Sequence, residues 1–160
     1  MKSSPIFKLI AAVALSELAG VIGALFTTPA IGTWYATLAR PDFSPPSFVF
    51  APVWTTLYAL MGIAAFLVWQ KRDAAPLARR NAVILFFIQL VLNTLWSILF
   101  FGLHNPGLAF AEIALLWLAI AATINAFARV SRTAAWLLAP YLLWVTFASY
   151  LNYAIWTLNS

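Results

Sequence analysis

The apolar and polar positions divide the chain into five long apolar stretches, about 6–26, 47–70, 81–102, 107–128 and 134–157, each long enough for a bilayer whose roughly 30 Å core needs about 20 residues of helix. Three of the four connectors are short. The exception, about 27–46, includes the Pro-dense run RPDFSPP just before the second apolar stretch. The pattern predicts an all-α integral membrane protein: a single domain over residues 1–160, five transmembrane helices, and a structured outer loop between the first two.

The first stretch follows Lys2 and Lys8 and is succeeded by Thr28, Pro29 and Ala30, as a cleaved leader would be. Its apolar run exceeds the roughly 7–15 residues of a leader's core. It also carries Glu17 and a series of small residues, so it reads as a retained helix.

Composition agrees with the pattern. Hydrophobic residues make up 64% of the 160 residues and charged ones 8%, against roughly 25% charged in soluble domains. With no cysteine, thiol chemistry and disulfides are excluded, and a single histidine, His104, builds no cluster for a metal. The net charge of +5 follows the connectors, so it reads as a topology signal rather than a nucleic-acid surface. With the N-terminus inside, that side holds Lys2, Lys8, Lys71, Arg72, Arg79, Arg80, Arg129 and Arg132, and the outside only Arg40. The expected topology is a cytoplasmic N-terminus, an outer first loop and an outer C-terminus. A bacterial cell membrane fits this bias, with an outer membrane left open.

Eight tryptophans are the outstanding excess. Trp69, Trp136 and Trp156 lie near helix ends, where indoles meet headgroups, and Trp34 lies in the outer loop. Trp54, Trp96, Trp117 and Trp144 fall inside their spans. Helical spacing sets Trp54, Tyr58 and Met61 on one face of the second span, and Gln89, Asn93 and Trp96, with Ser97 beside them, on the third. Tyr141, Trp144, Ala148 and Asn152 form one stripe of the fifth, just after Pro140. Unpaired amides in lipid are costly, so these faces point inward. They either pack together through hydrogen bonds or surround a cavity for a planar apolar ligand, with space left at Ala148.

Two carboxyl groups lie within spans, Glu17 in the first and Glu112 in the fourth, and read either as structural groups or as proton carriers. Around Glu17, Ala12, Ser16, Gly20 and Ala24 recur every fourth residue with Gly23 alongside, a pattern for close helix contact within the bundle or in a homodimer. Pro52 reads as a first-turn proline or a shallow kink, and Pro140 as a bend.

The motifs WYATLARPDFSPP, FAPVWTTLYALMGIA, LNTLWSILFFG and PYLLWVTFASYLNYAIW give the chain a resemblance, over nearly its whole length, to the TspO/MBR family of translocator and tryptophan-rich sensory proteins. The resemblance implies a five-helix bundle, often dimeric, whose first loop lids an outward-opening pocket. In that loop Trp34, Arg40, Pro41, Asp42, Phe43, Pro45 and Pro46 would form the lid. It implies no required cofactor. Its ligands would be porphyrins such as protoporphyrin IX or heme-like tetrapyrroles, sterols, and isoquinoline carboxamide or benzodiazepine-type drugs, with membrane lipid around it. By motif the pocket would include Trp54, Asn93, Trp144 and Ala148, joined by Tyr58, Trp96, Tyr141 and Asn152 from the faces above. The implied function is a membrane receptor for tetrapyrroles linked to their regulation or to stress signalling. Transport of tetrapyrroles or sterols, with proton coupling through Glu17 and Glu112, and light-dependent porphyrin breakdown are its alternatives. The chain departs from the pattern at Phe43, where relatives commonly carry Trp, and lacks a basic residue after Tyr150 or Tyr153 to complete a sterol motif.

Overall fold

The computed structural model describes residues 4–160, so Lys2 lies outside the described residues. Five helical segments cross the bundle: α1 (Pro5–Ile31), α3 (Phe50–Gln70), α4 (Pro76–Ser97), α5 (Pro106–Ala128), and a fifth made of α6 (Arg132–Leu137) and α7 (Ala139–Leu158). A short helix, α2 (Trp34–Thr37), lies in the first loop. All five segments are long and apolar enough to span a bilayer, and the protein is an integral, multi-pass membrane protein.

Helix starts are written locally. Pro5, Pro76 and Pro106 each open a helix, where a missing N–H costs nothing. Ser4 Oγ accepts from the Phe7 N–H at 3.2 Å, and Asn105 Oδ1 from the Leu108 N–H at 2.9 Å, each satisfying a donor the first turn leaves free.

The third span starts at Pro76 instead of about 81, and three further features differ from the sequence reading. First, α1 does not stop near residue 26 but runs through Pro29 to Ile31, shortening the loop expected over about 27–46. Pro29 sits in the last turn, where little helix remains to be disrupted, and its carbonyl accepts from Thr33 Oγ1 at 2.7 Å. Second, α4 passes into a π-helical turn at Ile98–Gly102, closed by Leu103 N–H to Ile98 O at 2.8 Å. The wider turn buries the consecutive side chains Phe100 and Phe101 together. Third, the fifth span is interrupted at Leu138, two residues before Pro140, which occupies the first turn of α7. Pro52 likewise falls in the first turn of α3, behind a 3-10 turn at Ser47–Val49.

α1 and α3 run antiparallel and approach closely at Gly62. A methyl group placed on Gly62 would lie 2.5 Å from Val13 Cα and 2.9 Å from Ala12 O, so backbone meets backbone there. α1 also packs on α4, with Thr94 Oγ1 donating to Ala19 O at 3.2 Å and Gly23 facing Ser97. Ala12, Ser16 and Gly23 are therefore spent inside the bundle, Gly20 meets the Tyr58 ring, and Ala24 remains exposed.

At one end the 71–75 and 129–133 connectors lie together, and the Lys8 ammonium stands 5.4 Å from the Trp69 ring centroid. The other end, here the loop end, carries the first loop, the 103–105 turn and the C-terminus. Trp69, Trp136 and Trp156 are all exposed, as interfacial indoles should be. The core divides accordingly, with Met61, Ala64, Val68, Phe86 and Phe127 in the main cluster and Tyr35, Phe100, Phe101 and Ile155 in a second one at the loop end.

Candidate ligand cavity

Above the Ala12–Gly62 contact, the Tyr58 ring comes between α1 and α3. Gly20 faces the Tyr58 ring, a virtual Cβ lying 2.5 Å from Tyr58 Cε2. Beyond it the space between α1, α3, α4 and α7 opens into a cavity of about 270 Å³. On α1 its wall runs from Glu17 to Ile31, roughly 20 Å at 1.5 Å per residue, so the space is elongated. Ala24, Thr28, Ala51 and Thr55 line it and are exposed, which leaves it open between α1 and α3.

Six of the eight side chains expected at the site line this cavity: Trp54, Tyr58, Trp96, Trp144, Ala148 and Asn152. The other two, Asn93 and Tyr141, stand behind the wall. Tyr58 donates its hydroxyl to Asn93 Oδ1, Asn93 Nδ2 donates to the Tyr141 hydroxyl at 2.7 Å, and Tyr141 donates to Gln89 Oε1 at 2.8 Å. Gln89 reaches Met61 Sδ at 3.9 Å. This chain joins α3, α4 and α7 with its polar groups occupied, so it fixes the position of Tyr58 instead of offering the amide to the cavity.

The second amide is equally committed. Trp96 Nε1 donates to Asn152 Oδ1 at 3.0 Å, and Asn152 Nδ2 donates to the Pro106 carbonyl at 2.8 Å. That bond pins α7 to the start of α5 and holds the Trp96 ring, which stacks on Phe100 with centroids 5.1 Å apart. Trp144 is different. Its Nε1 is buried and has no hydrogen-bond partner among the described residues, although the ring forms part of the cavity wall. Trp117, the remaining intramembrane indole, donates to Thr146 Oγ1 at 2.8 Å between α5 and α7, away from the cavity.

The first loop meets the cavity through Tyr35 and Ser47. Trp34, Arg40, Pro41, Asp42, Phe43, Pro45 and Pro46 lie outside the lining. Trp34 stacks on His104 with centroids 4.3 Å apart, and His104 takes φ 52°, the one left-handed non-glycine backbone among the described residues. Phe43 stacks on Tyr150 at 5.2 Å and meets Phe147 edge-on at 6.3 Å, which anchors the loop to α7 without an indole N–H. Pro41 closes a turn through its carbonyl to the Ser44 N–H at 3.0 Å, and Pro46 accepts from the Val49 N–H at 3.0 Å. The Arg40 guanidinium lies 5.1 Å from the Tyr35 ring centroid. Burial pushes the Tyr35 phenol above its ordinary range, and the Arg40 charge draws it part of the way back.

Sequence reasoning missed one strong attachment. Asn159 Oδ1 accepts from the Ala39 N–H at 3.0 Å while its Nδ2 donates to the Ala39 carbonyl at 2.9 Å, a two-point clasp between the loop and the end of α7. It also missed α1 as a wall. The small residues Gly20, Gly23 and Ala24, read as packing, also line the cavity, together with Phe50 and the π-turn residues Phe100 and Phe101.

Comparison with known proteins agrees with this architecture. The chain is 45% identical over 144 residues to the tryptophan-rich protein TspO of Chlorobaculum tepidum, covering 88% of each chain. To the tryptophan-rich protein TspO of Archaeoglobus fulgidus it is 42% identical over 158 residues, 97% of this chain and 99% of the relative. The translocator protein of Bos taurus is 39% identical over 148 residues, 91% of this chain and 86% of the relative. The TspO/MBR family profile matches residues 12–157, from within α1 to within α7, and the chain belongs to the TspO/MBR family.

Proposed function

We propose that this protein is a membrane receptor for flat, apolar ligands of the tetrapyrrole class, serving tetrapyrrole regulation or stress signalling. The observation that carries the reading is the shape and lining of the cavity: an elongated space under the first loop, walled by Trp54, Trp96 and Trp144 with the small Ala148 beside them. Aromatic walls stack on a planar macrocycle, and such pairs contribute about 0.5–1.5 kcal/mol each beyond the area they bury.

The polar groups would then orient the ligand. Trp144 Nε1 is buried without a partner, and a turn of the indole toward the ligand would give it an acceptor and remove that desolvation penalty. Arg40, over Tyr35 at the loop end, would meet an acidic substituent such as a propionate. Asn93 contributes indirectly by holding Tyr58. In the topology that follows from the basic residues, the loop faces outward and the N-terminus lies in the cytoplasm.

Titration with protoporphyrin IX tests the reading, with Trp54→Phe, Trp144→Phe and Arg40→Ala beside the unaltered protein. Weaker binding in the tryptophan variants supports the pocket. Unchanged affinity in all three variants removes it.

A further inference from the structure

Of all the residues lining the cavity, only Glu17 carries a formally charged side chain. It lies at the inner end, one turn before Gly20 and the Tyr58 ring that forms the floor. The hydrogen bonds of α1 nearby run from Ser16 Oγ to Ala12 O at 3.1 Å, from Thr27 Oγ1 to Gly23 O at 3.1 Å and from Thr94 Oγ1 to Ala19 O at 3.2 Å, and none of them involves Glu17.

No basic side chain of the cavity answers it. Lys8 stands nine residues earlier on α1, about 13 Å along the helix, and is engaged with Trp69. Arg40 is at the opposite end of the cavity, on Tyr35. Tyr58, the nearest lining hydroxyl on α3, donates its proton to Asn93. A carboxyl group at membrane depth with no hydrogen-bond partner among the described residues is costly and usually marks a functional position. The cavity therefore has a polarity along its length: a carboxyl group at the inner end, a buried, unpaired indole N–H within the wall residue Trp144 and a guanidinium beyond the loop end.

From this arrangement we infer that Glu17 tunes which ligands the cavity takes: among flat apolar molecules it favours those that present a protonated or N–H-bearing nitrogen to Glu17. Acidic substituents stay at the loop end near Arg40. The inference rests on the cavity being a ligand site, and it adds the ligand's orientation and the sign of charge the floor accepts.

Three tricyclic probes of similar size, 9-aminoacridine as cation, 9-anthracenemethanol as neutral molecule and anthracene-9-carboxylate as anion, separate charge selection from shape. Their binding is read by quenching of tryptophan fluorescence in nanodiscs of uncharged lipid. A charge-assisted hydrogen bond corresponds to roughly a tenfold to hundredfold change in affinity. In Glu17→Gln the cation should weaken by that factor, the neutral probe should be unchanged, and the anion should not weaken. Glu17→Asp, which keeps the carboxylate, should retain the preference for the cation. Equal weakening of all three probes in Glu17→Gln, an unchanged cation affinity, or a preference lost in Glu17→Asp as fully as in Glu17→Gln overturns the inference. So does failure of all three probes to bind the unaltered protein. If protoporphyrin IX fails to bind while the Glu17-dependent cation preference persists, the tetrapyrrole reading falls and this one stands.

Discussion

Gly62 is the position where the smallest change should have the largest structural effect. A methyl group there would sit 2.5 Å from Val13 Cα, 2.9 Å from Ala12 O and 2.9 Å from Val13 N. Carbon atoms prefer separations of about 3.5–4.0 Å, so relieving the first contact requires a shift of roughly 1 Å or more. The obstacle is the backbone of α1, which no rotamer change can move, so Gly62→Ala must displace one helix from the other. Overpacking of this kind costs about 1–3 kcal/mol, and the better helix propensity of alanine returns at most about 1 kcal/mol. For a chain of this length each kcal/mol moves Tm by roughly 2–4 °C, so a fall of several degrees is expected. Gly32→Ala is the control. It has nothing within 4 Å of its virtual Cβ and φ −83°, so alanine fits without strain or contact. Thermal unfolding of both variants in the same detergent, followed by intrinsic fluorescence, compares them directly. A Gly62→Ala protein that melts with Gly32→Ala and the unaltered chain would refute the close approach of α1 and α3.

The remaining predictions concern the polar groups behind and above the cavity. Asn93→Leu orphans the buried Tyr58 hydroxyl, while Tyr141 keeps its bond to Gln89, and should destabilise the protein by roughly 1–3 kcal/mol. Chemical unfolding measures it, and a change below about 1 kcal/mol would mean the network is not formed. Asn159→Ala removes both bonds to Ala39, each worth about 0.5–1.5 kcal/mol, and should speed amide hydrogen exchange across residues 38–44 while leaving the spans protected. Unaltered exchange in that segment would show that the stacking of Trp34 and Phe43 alone holds the loop.

What could be read from the sequence was whatever depends on a single helix. The spans follow from hydropathy, and the stripe of Trp144, Ala148 and Asn152 follows from helical spacing; the structure places all three on the cavity wall. Spacing could not separate those three from Tyr141, one turn earlier, whose hydroxyl is taken up between α4 and α7. The division depends on how far neighbouring helices have diverged at each level, which is a property of pairs. The π-helical turn was hidden for a related reason: an extra residue per turn alters the period on which the reading relies, and Phe100 and Phe101 face inward together only because of it. Asn159 gave no signal at all, since an amide near a chain end resembles any polar terminal residue until Ala39 is beside it.

The clearest case of one pattern with two uses is the small-residue series of α1. Its inner members, Ala12 and Ser16, are buried at the end where α1 meets Gly62, and there smallness gives close packing. Higher on the same helix Gly20 faces a tyrosine ring instead of a backbone, and a ring is thicker than a glycine, so the two helices must separate. Tyr58 cannot yield that space by swinging away, because its hydroxyl is tied to Asn93. The polar chain behind the wall therefore acts as a spacer for the cavity in front of it. From that point toward the loop Gly23 still packs on Ser97 of α4, but on the α3 side the small side chain of Ala24 leaves room between the helices. The cavity consequently lies in the half of the bundle that the first loop covers, and the same spacing that closes the inner half opens the outer one.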